Sequence, residues 1–408
     1  MPSSAPAALK IDRVTRRVSV DPRDPRFYQD PYGAYAAIRA VTETFYWEEQ
    51  RMWCFMNAAD VGAMLKDSRL GREPPAGSGV YARLPALEAF HRHSLLELEP
   101  PAHSRLRSLV GSAFFGRVVE RLRPAIAGHA EALIDGFAAA GHAELIGAFA
   151  TPIPVTVIMR MLGVPPDMAR QFLEWSHRMV AVYELARTAA IEDAAEAATR
   201  EFTEFLRGYI RLRRDAPADD LISLLIAAES SGDRLSEEEM VATCILLLNA
   251  GHEATVHAIG NAVKVLLEER VDLRAAFATP ESTAALVEEC LRFDPPVHLF
   301  TRFVKEAGVW NGVRLSAGDS VALLYGAANR DPARFPDPDR FDPARRAPPH
   351  LSFGGGIHFC LGAPLARLEL QIALPILFRR LPALRLSEAP TYANRYHFHG
   401  LTTLHAAW

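Results

Sequence analysis

The stretch Phe353-Gly-Gly-Gly-Ile-His-Phe-Cys360-Leu-Gly362-Ala-Pro carries the densest chemistry in the chain. Three successive glycines permit a backbone that takes dihedrals closed to other residues and lies flat against a ligand. A lone cysteine follows, and Gly362-Ala-Pro opens a helix directly after it. Amides at a helix N-terminus stabilise a thiolate. A thiolate on a glycine-rich loop is what a haem iron takes as its proximal ligand. The alternative is a glycine turn beside a buried free thiol, the ordinary meaning of an isolated Gly-Gly-Gly.

The remainder of the chain bounds the object that carries this loop. It has 408 residues, 49% of them apolar and 23% charged, with a net charge of 45 − 49 = −4. That mixture is globular and long enough for one large or two to three smaller domains. A disordered, collagenous or nucleic-acid-coating protein is excluded, and no like-charge run points to a polyanion partner. There is no apolar run of about 18 residues, and residues 1–10 lack the basic start and apolar stretch of a signal peptide. A cytoplasmic protein without a membrane segment is expected. Cys54, Cys244, Cys290 and Cys360 form no CxxC pair, so neither disulfides nor a zinc ribbon is expected.

Periodicity predicts a mainly α protein with a small β region. Residues 1–25 read as a loose lead-in, and residues 26–408 as a single domain without a convincing internal boundary. Thr44 to Met56 reads as a hairpin. From Pro100 to about Glu269 apolar residues recur at three and four. Ser236-Glu-Glu-Glu239 is a capping box, and no proline interrupts the chain from there to about Glu269. One helix of roughly 50 Å is expected, running through the core. Another ends at Asp294-Pro-Pro, short β-like pieces follow, and a Pro-rich meander spans Asn329 to Pro349.

With these motifs in order, from about Asp30 to the C-terminus, the chain resembles the cytochrome P450 superfamily of haem-thiolate monooxygenases, in its soluble bacterial branch. The resemblance implies one haem domain with a long central helix over haem b, and Cys360 as the iron ligand beside Phe353 and Gly354. It implies that His103 and Arg107 in Pro100-Pro-Ala-His-Ser-Arg-Leu-Arg107, Arg302 in Phe300-Thr-Arg-Phe, and His358 hold the haem propionates. Glu289 and Arg292, three apart on one helix face, would pair and tie that helix to the meander.

On the distal side the family motif usually reads Ala-Gly-x-acid-Thr, and this chain has Ala250-Gly-His-Glu253-Ala254-Thr255. Ala250 and Gly251 suit a close approach to porphyrin, and Glu253 is the acid. Ala254 replaces the threonine whose hydroxyl organises proton-relaying water, so it cannot do that work. Three readings stand. A substrate hydroxyl or carboxylate holds the water; or Thr255 substitutes after a helix distortion; or the enzyme performs another oxidation that tolerates altered proton supply. In a straight helix Glu253 points about 200° from Gly251, so direct delivery needs a local widening or a water chain. His252 is assigned no chemistry.

Substrate contacts implied by the resemblance include Val297, His298, Phe300, His397 and Phe398, around a hydrophobic molecule such as a terpenoid, steroid, polyketide or aromatic acid. The chain has room for neither a flavin domain nor an iron-sulfur cluster. Electrons are therefore expected from NAD(P)H through a ferredoxin and its reductase, docking on Arg105, Arg367, Arg345 and Arg346 of a monomer. Two other functions compete: a haem-thiolate peroxygenase, which the loss of threonine permits, and a non-catalytic haem sensor.

Overall fold

The computed structural model describes residues 8–114, 117–183, 187–228, 235–346 and 348–408. Its organising element is the central helix Glu237–Glu268. Ser236 accepts from the Glu239 amide while the Glu239 carboxylate accepts from the Ser236 amide, so both halves of the capping box form. At 1.5 Å per residue its 32 residues span about 48 Å. Ile245, Leu248, Ile259 and Val263 on it are all buried. Each such side chain contributes roughly 1.5–3 kcal/mol relative to exposure. Helices Pro152–Leu162, Ala189–Asp215, Pro280–Phe293 and Ala363–Arg380 pack around it.

A seven-stranded sheet runs in the order Lys10–Asp12, Arg17–Ser19, Thr44–Trp47, Met52–Phe55, Ser320–Leu324, Leu299–Val304, Leu70–Gly71. Thr44–Trp47 and Met52–Phe55 form the expected hairpin, with Phe45 opposite Cys54. The loose lead-in needs correction. Residues 10–19 form a hairpin whose second strand joins Thr44–Trp47 in parallel. Val18 is completely buried there, and the Trp47 indole donates to the Val20 carbonyl at 2.9 Å. Only residues 1–7 of that segment lie outside the described residues.

Helix Pro280–Phe293 is fastened to the meander through Glu289 and Arg292, both buried. Arg292 donates to the two Glu289 carboxylate oxygens at 2.7 and 2.8 Å. Its remaining nitrogen donates to the Asn329 and Pro338 carbonyls, each at 2.9 Å. The Asp342 amide and Arg345 Nε donate to Glu289 from the far side of the meander. Arg345 also donates to the carbonyls of Pro336, Asp337 and Arg340. It is a structural clamp, so the docking role expected of it is withdrawn. Arg105 pairs with Glu239 at the start of the central helix. Arg367 pairs with Glu288 while lying over the Phe353 ring.

Candidate active site

Cys360 sits between the glycine loop and helix Ala363–Arg380. Its amide donates to the Phe353 carbonyl at 3.0 Å, closing the loop on itself. Gly356 has φ +65°, and a Cβ there would lie 2.1 Å from the Leu65 carbonyl oxygen, so only glycine is accepted. Burial pushes the Cys360 thiol up, against the Gly362 amide, Arg107, the Ala363 amide and Arg367, which favour the thiolate. Arg107, on helix Ala102–Phe114, donates to the Phe359 carbonyl at 2.7 Å and so ties that helix to the cysteine loop.

A group of cationic and donor side chains collects beside this loop. The His103 and His358 rings lie 4.5 Å apart. His103 is buried with neither ring nitrogen partnered. Burial, then His358 and Arg107, lower it to about 4. His358 Nε2 meets Glu99 Oε1 at 3.2 Å. Burial alone would raise Glu99, but His358, the Arg72 amide and Lys305 outweigh it and hold the carboxyl at about 2. Arg302 is buried on strand Leu299–Val304, with Nη1 donating to the Thr301 carbonyl at 2.9 Å. Burial lowers its guanidinium, while Tyr325 raises it. Arg72, absent from the sequence-level candidates, packs over Phe300, donates to Thr301 and pairs with Glu97 at 2.6 Å. Glu99, four residues before His103, was legible as a neighbour; Arg72 lies too far away in the chain to be paired from sequence.

Across the central helix, Leu246, Ala250, Ala254 and His257 form a strip of half-buried or exposed residues on an otherwise buried element. Ala250 and Ala254, one turn apart, therefore line an opening, not packed core. Gly251 is half-buried beside that strip. A Cβ on it would come within 3.0 Å of Ile158, so its missing side chain makes room for helix Pro152–Leu162. Thr255, one turn further on, lies on the same packed face and is buried. The helix is α-helical throughout this region, without the widening that would bring Thr255 or Glu253 round.

Glu253 is buried with His177, His252, His257 and Arg395 around its carboxylate. Burial would raise it, but these imidazoles outweigh burial and hold it at about 2. Of the substrate candidates, Val297 bridges to Phe398 and both are half-buried. Phe300 and His397 are half-buried with ring centroids 5.6 Å apart. His298 needs correction. It is completely buried, with Nδ1 3.0 Å from the Tyr35 hydroxyl and Nε2 3.4 Å from that of Tyr32, so it belongs to the core.

A cysteine presented by a glycine loop at a helix start, beside a buried unpartnered histidine and the arginines Arg107 and Arg302, with a long helix that leaves Ala250 and Ala254 open, defines a haem-thiolate oxidoreductase. Comparison with known proteins gives the family. The family model described as Cytochrome P450 matches residues 281–390. Cytochrome P450 107B1 of Saccharopolyspora erythraea is 37% identical over 377 residues, covering 90% of this chain and 91% of the relative. The polyketide biosynthesis cytochrome P450 PksS of Bacillus subtilis is 35% identical, covering 90% and 93%. The structure of P450BioI in complex with a hexadec-9Z-enoic acid-ligated acyl carrier protein aligns with TM-score 0.88 at 34% identity, covering 94% of this chain and 99% of that one. The chain belongs to the cytochrome P450 family. It is an oxygen-incorporating oxidoreductase that binds haem iron and draws on NAD(P)H through redox partners. Among the described residues no helix is long and apolar enough to cross a membrane.

Proposed function

We propose that this enzyme inserts one oxygen atom of O2 into a hydrophobic small molecule, a polyketide before a terpenoid, steroid or aromatic acid, with electrons from a ferredoxin. The observation that carries the reading is Cys360 at the start of helix Ala363–Arg380 with His103 buried and unpartnered nearby. Buried polar nitrogens without partners are rare. The N–H of such a ring, beside His358, Arg302 and Arg107, fits a carboxylate of a haem whose iron Cys360 takes. When bound, the haem supplies the activation of dioxygen that puts one oxygen into substrate and the other into water. Phe353 and Gly354 back the thiolate, and Ala250 keeps the distal side clear.

Proton supply falls to Glu253, whose carboxylate lies behind the open strip and not on it. Ala254 offers no hydroxyl, and Thr255 shares the face packed on Ile158. A hydroxyl or carboxylate of the substrate therefore holds the relaying water. Phe300, Phe398 and Val297 give an apolar contact surface, with His397 as its polar member. The preference for a polyketide rests on the name of the PksS relative. We place the reaction in the cytoplasm, in a monomer, with ferredoxin docking on the Cys360 side near Arg367 and Arg346.

The test is reconstitution with a ferredoxin, its reductase and NADPH under labelled O2. The reading expects one labelled atom in product and none with Cys360→Ala. Turnover with peroxide alone would establish a peroxygenase, and binding without turnover a sensor.

A further inference from the structure

The central helix carries a second cluster of metal-ligating atoms away from Cys360. Glu253 Oε2 lies 3.5 Å from His177 Nε2 and 3.6 Å from His252 Nε2. Its Oε1 lies 3.7 Å from His257 Nε2 and 3.6 Å from Arg395 Nη1. All four separations exceed the 2.7–3.2 Å of an ordinary N–H···O bond. The side chains surround the carboxylate at a spacing wider than direct bonding.

The tautomer of His252 follows from its other nitrogen. Nδ1 is 2.6 Å from the Leu248 carbonyl oxygen, which can only accept, so Nδ1 carries the hydrogen. Nε2 then presents a bare lone pair, buried and unpartnered, to a carboxylate oxygen. Two acceptors face each other, an arrangement that calls for an electrophile between them. An imidazole fixed by Nδ1–H···O=C is also the usual state of a metal-bound histidine.

Distances agree with that occupant. Ligand atoms at 2.0–2.1 Å around a tetrahedral zinc ion are about 3.3–3.4 Å apart. The two edges at Glu253 Oε2 lie within about 0.3 Å of that value. The ligand atoms of His177, His252 and Glu253 all fall within 4.8 Å of one another. His177, on helix Ala169–Val180, is 53% exposed and can rotate to shorten the remaining edge, which also opens the cluster to solvent. Two imidazoles and a carboxylate suit zinc and its neighbours. His257 and Arg395 then hold the second carboxylate oxygen, as outer partners of a ligating carboxylate do.

The other such cluster, Asp294, His298 and His399, differs. Asp294 Oδ1 accepts from the Tyr32 hydroxyl at 2.7 Å and Oδ2 from that of Tyr392. His298 Nδ1 is taken by Tyr35. Hydroxyl hydrogens already fill the place of a cation.

We propose that His177, His252 and Glu253 form a divalent transition-metal site of the zinc type, joining helix Ala169–Val180 to the central helix. The site shares Glu253 with the proton supply proposed above, so a bound ion would occupy that carboxylate in place of the relay.

The test is calorimetric titration of tag-free holoenzyme with zinc chloride, with magnesium chloride alongside. One zinc per chain is expected, magnesium giving no heat, and His177→Ala should weaken binding by more than about tenfold. The exposed-site control His142→Ala should bind as wild type. Zinc should raise the melting temperature of wild type and leave that of His177→Ala unchanged. Absence of stoichiometric binding, or equal affinity in His177→Ala, overturns the proposal; the gap between His252 and Glu253 then holds only a water.

Discussion

The imidazoles of His103 and His358 lie 4.5 Å apart, yet only one is satisfied: His358 meets Glu99, while both nitrogens of His103 are buried without a partner. A buried donor left unmade costs about 1–3 kcal/mol, recovered when its partner arrives. His103→Phe keeps the ring and removes both nitrogens. We expect it to weaken haem retention by roughly ten- to a hundredfold, read as the rate of haem transfer to apomyoglobin, with unfolding of the haem-free protein unchanged or slightly stabilised.

Arg292 is the buried hub of the clamp between helix Pro280–Phe293 and the meander. Arg292→Ala leaves Glu289 Oε2 and two carbonyls without donors in the core, while the Asp342 amide and Arg345 stay on Oε1. A loss of about 3 kcal/mol in urea unfolding is expected, since Arg345 still compensates the Glu289 charge. Arg292→Lys should recover little, since an ammonium cannot make the forked contact to both Glu289 oxygens.

Gly356 is held at φ +65° against the Leu65 carbonyl. Gly356→Ala must move either the loop or residue 65, at a cost of about 1–3 kcal/mol. The same change at Gly128, around which there is open space, should leave stability nearly unchanged or improve it. Thermal unfolding of the two variants side by side checks this.

Ala254→Thr restores a hydroxyl on the open strip. If the substrate now holds the relaying water, analogues lacking its polar group should be poorly coupled in wild type and improve several-fold in the variant. Unchanged coupling, with such analogues reacting as well as the full substrate, would remove substrate assistance. The measurement is product formed per NADPH consumed.

Burial alone would raise Glu288, but hydrogen bonds from Arg367 and His350 outweigh it and lower its carboxyl from 4.5 to about 2. A carboxylate depressed in the native state stabilises fully above its unfolded value and loses that contribution as pH falls through the folded one. Stability should therefore decline from about pH 4.5 towards 2, and Glu288→Gln should flatten that part of the melting-temperature profile. The pair is partly exposed, so added salt should shrink the effect.

The parts of this molecule legible in its sequence are those fixed by neighbours in the chain. The Ser236 capping box and the proline-free run after it set the central helix, and three glycines before Cys360 set the loop. What sequence spacing left wrong depends on distant segments. What the bare Cα of Gly251 packs against is Ile158, from another helix, which its own neighbours in the chain do not show. His298 looks like a pocket residue until Tyr32 and Tyr35, more than 260 positions earlier, enclose it. The strands at residues 10–12 and 17–19 are three residues each, too short to show a period of two. Glu99 under His358 and His177 beside Glu253 are juxtapositions that only the folded chain makes.

The central claim is that Cys360 binds the haem iron as a thiolate. The most direct measurement is the absorption spectrum of the reduced, carbon monoxide-treated holoenzyme beside that of Cys360→His. Wild type should show the strongly red-shifted Soret band that thiolate ligation produces, and the variant the unshifted band of imidazole ligation. An unshifted band in correctly folded, haem-loaded wild type, or a red-shifted band surviving in the variant, would contradict the account.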